Sequence, residues 1–196
     1  MEQNKIFWQE YQAKAWSFAK DESKSLEYLL AGLVGEAGEV AEKIKKRKRG
    51  DYIKYPDNFF ENDLVLELGD SVWYAFALAT HIGVDLANSG GFVIPPREKV
   101  EPCKDLTAAA ILLNKSAAAI ADIFITGDEL IAEEALEIIP PSMTFRFANA
   151  VKTHLNNIAR LAATVGYDIY GIATRNDIKL SSRQAKGTIA GSGDNR

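Results

Sequence analysis

Two pairs of acids carry a spacing that suits chemistry: Glu36 and Glu39 in AGLVGEAGEVAE, and Glu67 and Asp70 in LVLELGDSVWYAFAL. Each pair is spaced i, i+3, which on a helix puts both side chains on one face, about 5–6 Å apart at their Cβ atoms. Each pair is a carboxylate clamp set in otherwise apolar sequence. If the two helices pack antiparallel, as a short connection encourages, four carboxylates converge. Two carboxylates about 5 Å apart at an effective dielectric near 20 repel by roughly 3 kcal/mol, so the cluster takes a cation or keeps a proton. Oxygen-only ligands favour Mg²⁺, Mn²⁺ or Ca²⁺ over zinc. One such pair alone is ordinarily a solvated helix face. Gly32, Gly35, Gly38 and Gly69 argue for more, since a glycine inside a helix costs up to about 1 kcal/mol relative to alanine. They point to close approach of a second helix or a ligand.

Other chemistries lack their residues. The chain has no GxxxxGK[ST] loop, no Glu-x-x-His pair and no EF-hand loop, and His81 and His154 alone make no triad. Cys103, the single cysteine, can form no internal disulfide, as suits a reducing compartment.

The elements that must position the acids read as helices. The first spans about Asn4 to Lys20 and the second runs from near Ser25 to Arg49, with Gly50 as its stop. Asn58 followed by Glu61 reads as a capping arrangement for a third helix reaching about Gly83. A Pro- and Gly-rich stretch, VDLANSGGFVIPPREKVEPC, then interrupts the pattern. Helical patterning resumes over Asp105–Thr126, Asp128–Ile139, Ser142–Val165 and Asp168 to about Ala185, and no strand pattern emerges. The closing GTIAGSGDNR reads as a disordered tail. WYAFALATHIGVDL and NIARLAATVGYDIY are weakly similar, which reads either as two similarly capped helices or as a duplication.

Composition sets outer limits. With 196 residues, 47% hydrophobic and 26% charged, the chain is long and apolar enough for one domain with an insertion. Its 27 alanines favour helices. A net charge of −4 has the wrong sign for a wholesale nucleic-acid or membrane binder. No apolar run reads as approaching the roughly 18 residues of a bilayer span, and the N-terminus lacks a signal-peptide core. The expectation is a cytoplasmic protein.

These motifs resemble the MazG-like all-α nucleoside triphosphate pyrophosphohydrolases, related to dimeric dUTPases and phosphoribosyl-ATP pyrophosphohydrolase. The family mark is ExxE, a spacer and ExxD, matched by Glu36, Glu39, Glu67 and Asp70. GLVGEAGEVAEKIKK, ELGDSVWY and NDIKLSSRQAKGTIAGSGDNR extend the likeness. It implies an all-α, four-helix-bundle-type core with a helical insertion at about 87–165, a stretch that matches nothing in the family core. It also implies that the four acids bind Mg²⁺ (or Mn²⁺), and that water attacks the α-phosphorus of a nucleoside triphosphate to release a monophosphate and pyrophosphate. Glu39 is the expected base, though the sequence does not distinguish it from Glu36. Asn176 and Lys179 match an Asn-x-x-Lys pattern of the family's last helix; with Arg183 they share a face suited to substrate. Lys43 lies on the Glu36 face and can point to the triphosphate. Trp73 and Tyr74 either pack in the core or stack on a base.

Some relatives double the first Glu, where this chain has Gly35; an additional ligand or base is either missing here or replaced by Glu42. A homo-oligomer, dimer or tetramer, is expected, with no nucleic-acid or membrane partner. The alternative is a noncatalytic nucleotide-binding or regulatory protein that keeps the metal site.

Overall fold

The computed structural model describes residues 2–89, 94–95 and 97–188. Six helices carry the fold: α1 (Glu2–Ser17), α2 (Leu26–Arg49), α3 (Phe59–His81), α4 (Leu106–Ala121), α5 (Pro141–Thr164) and α6 (Ile169–Ala185). Their ends follow local chemistry. Ser25 Oγ accepts the Tyr28 N–H to open α2, and Gly50 closes it at φ +89°, a conformation favoured by a residue without a Cβ. Asp105 accepts the N–H groups of Thr107 and Ala108 to open α4, Pro141 opens α5, and Asp168 accepts the Gly171 N–H to open α6.

Three expectations need correction. Asn58 sits at φ +65° and its side chain makes no capping bond; from that left-handed conformation it does not form the expected box with Glu61. The segment around Thr126–Ile139 is not helical throughout. Ile125–Thr126 (β1) pairs antiparallel with Glu129–Leu130 (β2) across Gly127-Asp128, a two-residue hairpin loop, and Glu133–Ile138 is a 3₁₀ helix. Lastly, Leu106–Phe124 is long and apolar enough to cross a membrane by length and composition. Asn114 and Lys115 do not interrupt it enough to fall short. In the fold it packs on protein: Leu113, Ala117 and Ile120 are fully buried, and Asn114 donates to the Ala37 carbonyl of α2 at 2.7 Å.

α2 and α3 form an antiparallel hairpin at the centre, sealed by Leu29, Leu33, Ala37 and Val40 on one side and Leu64, Leu68, Val72 and Phe76 on the other. α1 and α6 cover α3, and Trp8 stacks on Phe76 with centroids 5.2 Å apart. α4 packs on α2, and α5 packs on α4 and α3. Gly83 and Gly166, which follow the helices of the two weakly similar segments, both adopt positive φ. Asp168 then caps α6, whereas Asp85 holds a turn through the Asn88 N–H. Of the Gly-rich tail, residues 189–196 lie outside the described residues, as do Gly90–Val93 and Pro96 of the interrupting stretch.

A buried polar relay joins α3, α4 and α5. His154 Nε2 lies 2.9 Å from Ser71 Oγ and Nδ1 lies 3.0 Å from Ser116 Oγ. Ser116 already donates to the Leu113 carbonyl at 2.8 Å, so His154 carries its proton on Nδ1 and Ser71 donates to Nε2. Burial pushes the imidazole down to about 4, and it stays neutral. Because the folded-state value lies below the ordinary 6.5, this group's contribution to stability is complete above pH 6.5 and is lost as pH falls towards 4. His154→Leu is expected to cost about 1–3 kcal/mol in urea unfolding at pH 7, by leaving the buried Ser71 hydroxyl without its acceptor, and to flatten the acid limb between pH 6.5 and 4.

Candidate metal centre

The seam between α2 and α3 is built from two facing rows. On α2, Glu36 and Lys43 are seven residues apart and nearly in line, because two turns of helix return to the same face within about 20°. On α3, Asp63, Glu67 and Asp70 form the opposing row at i, i+4 and i+7. Running the helices antiparallel sets Glu36 against Asp70 and Lys43 against Glu67 and Asp63.

Glu36, Glu67 and Asp70 each offer a carboxylate oxygen within 4.8 Å of the others. Four carboxylates were expected; three converge, and Glu39 is exposed and stands outside the group. At i+3 it is rotated about 60° around the axis from Glu36, away from the seam that Lys43 shares. Its charge still reaches the cluster. Burial, then the charges of Asp70, Glu39 and Glu67, push the Glu36 carboxyl up to about 8, with Lys179 opposing.

Lysines compensate the other two acids. Glu67, only 2% exposed, pairs with Lys43 Nζ at 2.9 Å. The same ammonium bonds Asp63 at 2.8 Å, and Asp63 in turn accepts from Tyr52 Oη at 2.5 Å. Burial works against the Lys43 charge, but the bonds to Asp63 and Glu67 prevail and hold its pKa above the usual range. Lys43 is therefore the internal counter-ion of the acids. Its expected contact with phosphate would have to draw it away from them.

α6 supplies the rest. Asn176 Nδ2 donates to Asp70 Oδ1 at 2.7 Å, and Lys179 Nζ pairs with Asp70 Oδ2 at 2.5 Å. Tyr11 Oη donates to Asn176 Oδ1 at 3.3 Å and fixes the amide. The shared face of Asn176 and Lys179 was expected to meet substrate; here it meets Asp70. Arg183, two turns further on, is buried. The close approach of α6 depends on Gly69, where a Cβ would lie 3.1 Å from the Cβ of Asn176. Gly32 is needed for Tyr74, whose ring would lie 2.1 Å from an added Cβ, whereas a Cβ at Gly35 or Gly38 meets open space. Trp73 donates to the Ala15 carbonyl at 2.9 Å and is committed to α1. Asp63, Tyr52 and Tyr11 escaped the sequence reading. Of these, only Asp63 left a trace there, at i−4 from Glu67.

The donor set fits a hard divalent cation: three oxygen ligands, one nearly fully buried and one raised by its neighbours. A cation bound there would compete with Lys179 for Asp70 and with the proton on Glu36.

Fold and site together define an all-α protein that presents a cluster of three carboxylates from a central helical hairpin. Residues 24–89, which hold that hairpin, match the family of MazG nucleotide pyrophosphohydrolase domains. The likeness to that family covers the central hairpin. It is 44% identical over 68 residues to Gene 37 protein of Mycobacterium phage L5, a match covering 34% of this chain and 58% of that relative. No solved structure matches it. α6, with Asn176 and Lys179, lies outside the matched segment.

Two outcomes follow. Titration of Mn²⁺ followed by electron paramagnetic resonance will show affinity rising with pH through about 8 as Glu36 loses its proton, and Glu36→Gln will weaken binding and flatten the rise. Lys43→Met will destabilise the cation-free protein by about 3 kcal/mol in urea unfolding, because Glu67 and Asp63 lose their counter-charge, and Mn²⁺ will restore part of the loss.

Proposed function

We propose that this protein is a Mg²⁺-dependent nucleoside triphosphate pyrophosphohydrolase. It cleaves a noncanonical or surplus (deoxy)nucleoside triphosphate between the α- and β-phosphates, releasing a nucleoside monophosphate and pyrophosphate. The observation that carries this reading is the convergence of Glu36, Glu67 and Asp70 within 4.8 Å inside the segment that matches the pyrophosphohydrolase family.

Glu36, Glu67 and Asp70 would hold Mg²⁺, or Mn²⁺ in its place. When bound, the ion neutralises phosphate charge and makes a coordinated water more acidic. Glu39, exposed beside the cluster, takes the proton from the attacking water. The new bond joins that water's oxygen to the α-phosphorus. The bond from the α-phosphorus to the bridging oxygen breaks, and pyrophosphate leaves with the electron pair. Lys179, displaced from Asp70, and Arg183 meet the phosphates, and Asn176 meets the sugar or base. Lys43 holds Glu67 in place and faces the triphosphate from α2.

We read the chain as one domain, with residues 87–165 as an insertion that completes the bundle around α2. Exposed Val34 on α2 and Ile111 and Leu112 on α4 support a homo-oligomer. The negative net charge and lone cysteine support a cytoplasmic setting without a nucleic-acid or membrane partner. One observation favours the noncatalytic alternative: Asn176 and Lys179 occupy both oxygens of Asp70.

Incubating the protein with a panel of ribo- and deoxynucleoside triphosphates and Mg²⁺, followed by chromatographic separation of products, is expected to yield monophosphate and pyrophosphate. Asp70→Asn or Glu39→Gln should lower kcat/KM at least about a hundredfold with helical circular dichroism unchanged. Orthophosphate release would reject the reaction, and binding without turnover would establish the noncatalytic alternative.

A further inference from the structure

The two rows of the seam do not end at Lys43 and Asp63. On α2 the row continues to Lys46 and Gly50, and on α3 it continues back to Phe59. There the α2–α3 turn encloses a cavity of about 760 Å³ whose walls are Tyr52, Ile53, Tyr55 and Phe59, with Lys46 and Lys54 at its edge. That volume lies within the range of small-molecule sites.

The walls are unusual for a surface turn. Ile53 is 88% exposed, Tyr55 43% and Phe59 40%. Three large apolar side chains left open together mark a contact surface. Their rings are already arranged: Tyr55 and Phe59 stack with centroids 4.2 Å apart and planes 11° from parallel, and Lys54 Nζ lies 5.5 Å from the Tyr55 centroid. Tyr52 is held in place by its bond to Asp63. Exposed parallel rings offer a face to another planar ring.

Position narrows the ligand further. Asp63 lines the cavity and is joined through Lys43 to Glu67 of the acid cluster. Seven residues of α3 separate Asp63 from Asp70, about 10 Å of helix axis.

We propose that this cavity receives the base of the nucleotide whose phosphates meet the acid cluster, stacking it on the Tyr55–Phe59 pair. The proposal rests on the pyrophosphohydrolase reading and adds to it a residue-level basis for specificity. Recognition here is by π-face. The lining carboxylates are engaged, Asp51 with Arg49 and Asp63 with Lys43 and Tyr52. With those acceptors occupied, the walls hold purines and pyrimidines by the same stacking contact, and discrimination among bases is weak.

The test compares the wild type with Tyr55→Ala and Tyr55→Ala/Phe59→Ala on ATP, GTP, CTP and UTP with Mg²⁺. Tyr55→Ala lies in the turn and keeps the test valid should the double variant misfold by circular dichroism. The double variant is expected to raise KM about tenfold or more for all four, with kcat within threefold and inhibition by inorganic tripolyphosphate, which has no base, unchanged; Tyr55→Ala alone shifts KM in the same direction. Unchanged KM in a folded variant overturns the proposal and leaves the reaction assignment intact. If the wild type turns over none of the four, calorimetric binding of Mg²⁺-ATP decides the cavity: a tenfold weaker Kd in the variants supports it and an unchanged Kd overturns it, while the wider ribo- and deoxynucleotide panel decides the reaction.

Discussion

Mutual repulsion among Glu36, Glu67 and Asp70 is the constraint around which the rest of the molecule is arranged. Three carboxylates within 4.8 Å of one another, one of them 2% exposed, have no stable charged state without nearby positive charge. Lys43 answers Glu67 from α2, Lys179 answers Asp70 from α6, and Glu36 is left to carry a proton in the cation-free protein. Each answer makes a structural demand. Lys43 requires the antiparallel register of the hairpin, and Lys179 requires α6 to lie tightly on α3, which Gly69 permits. The helices around the hairpin serve this arrangement, α1 fixing Asn176 through Tyr11 and α4 and α5 holding the opposite flank through the Ser71–His154–Ser116 relay.

This gives the α6 residues a double character. Asn176 and Lys179 sit on a face suited to substrate, yet they are spent on Asp70. A cation bringing a polyphosphate would relieve both needs, since it supplies charge to Asp70 while the phosphates supply partners to Lys179. The metal and substrate sites are on this view one electrostatic system, in which lysine ammonium groups hold the places that a hydrated cation and phosphate oxygens take over.

Much of this was legible in the residues. Ser25, Gly50, Asp105 and Asp168 mark helix ends by chemistry that needs no tertiary context, and the structure has them at those ends. The acidic pairs announced themselves by standing in apolar helix. What stayed hidden was set by rotation and by distance along the chain. Spacing alone puts Glu39 near Glu36, but only the direction of the α3 seam separates a residue on it from one rotated about 60° off it. The pairing of Asn176 with Asp70 spans 106 positions and depends on a missing Cβ at Gly69, a glycine that the sequence flagged without saying what approaches it. Asn58 misled because capping residues also favour the left-handed conformation, and there the side chain does not cap. The Gly127-Asp128 hairpin was missed because its strands are two residues each, too short for any periodicity.

Everything above depends on the three acids forming a cation site. Anomalous diffraction from crystals of the protein grown with Mn²⁺ addresses this directly. A peak bounded by Glu36, Glu67 and Asp70 is expected, with Lys179 withdrawn from Asp70. Crystals in which Lys179 remains on Asp70 and manganese scatters only elsewhere would contradict that expectation.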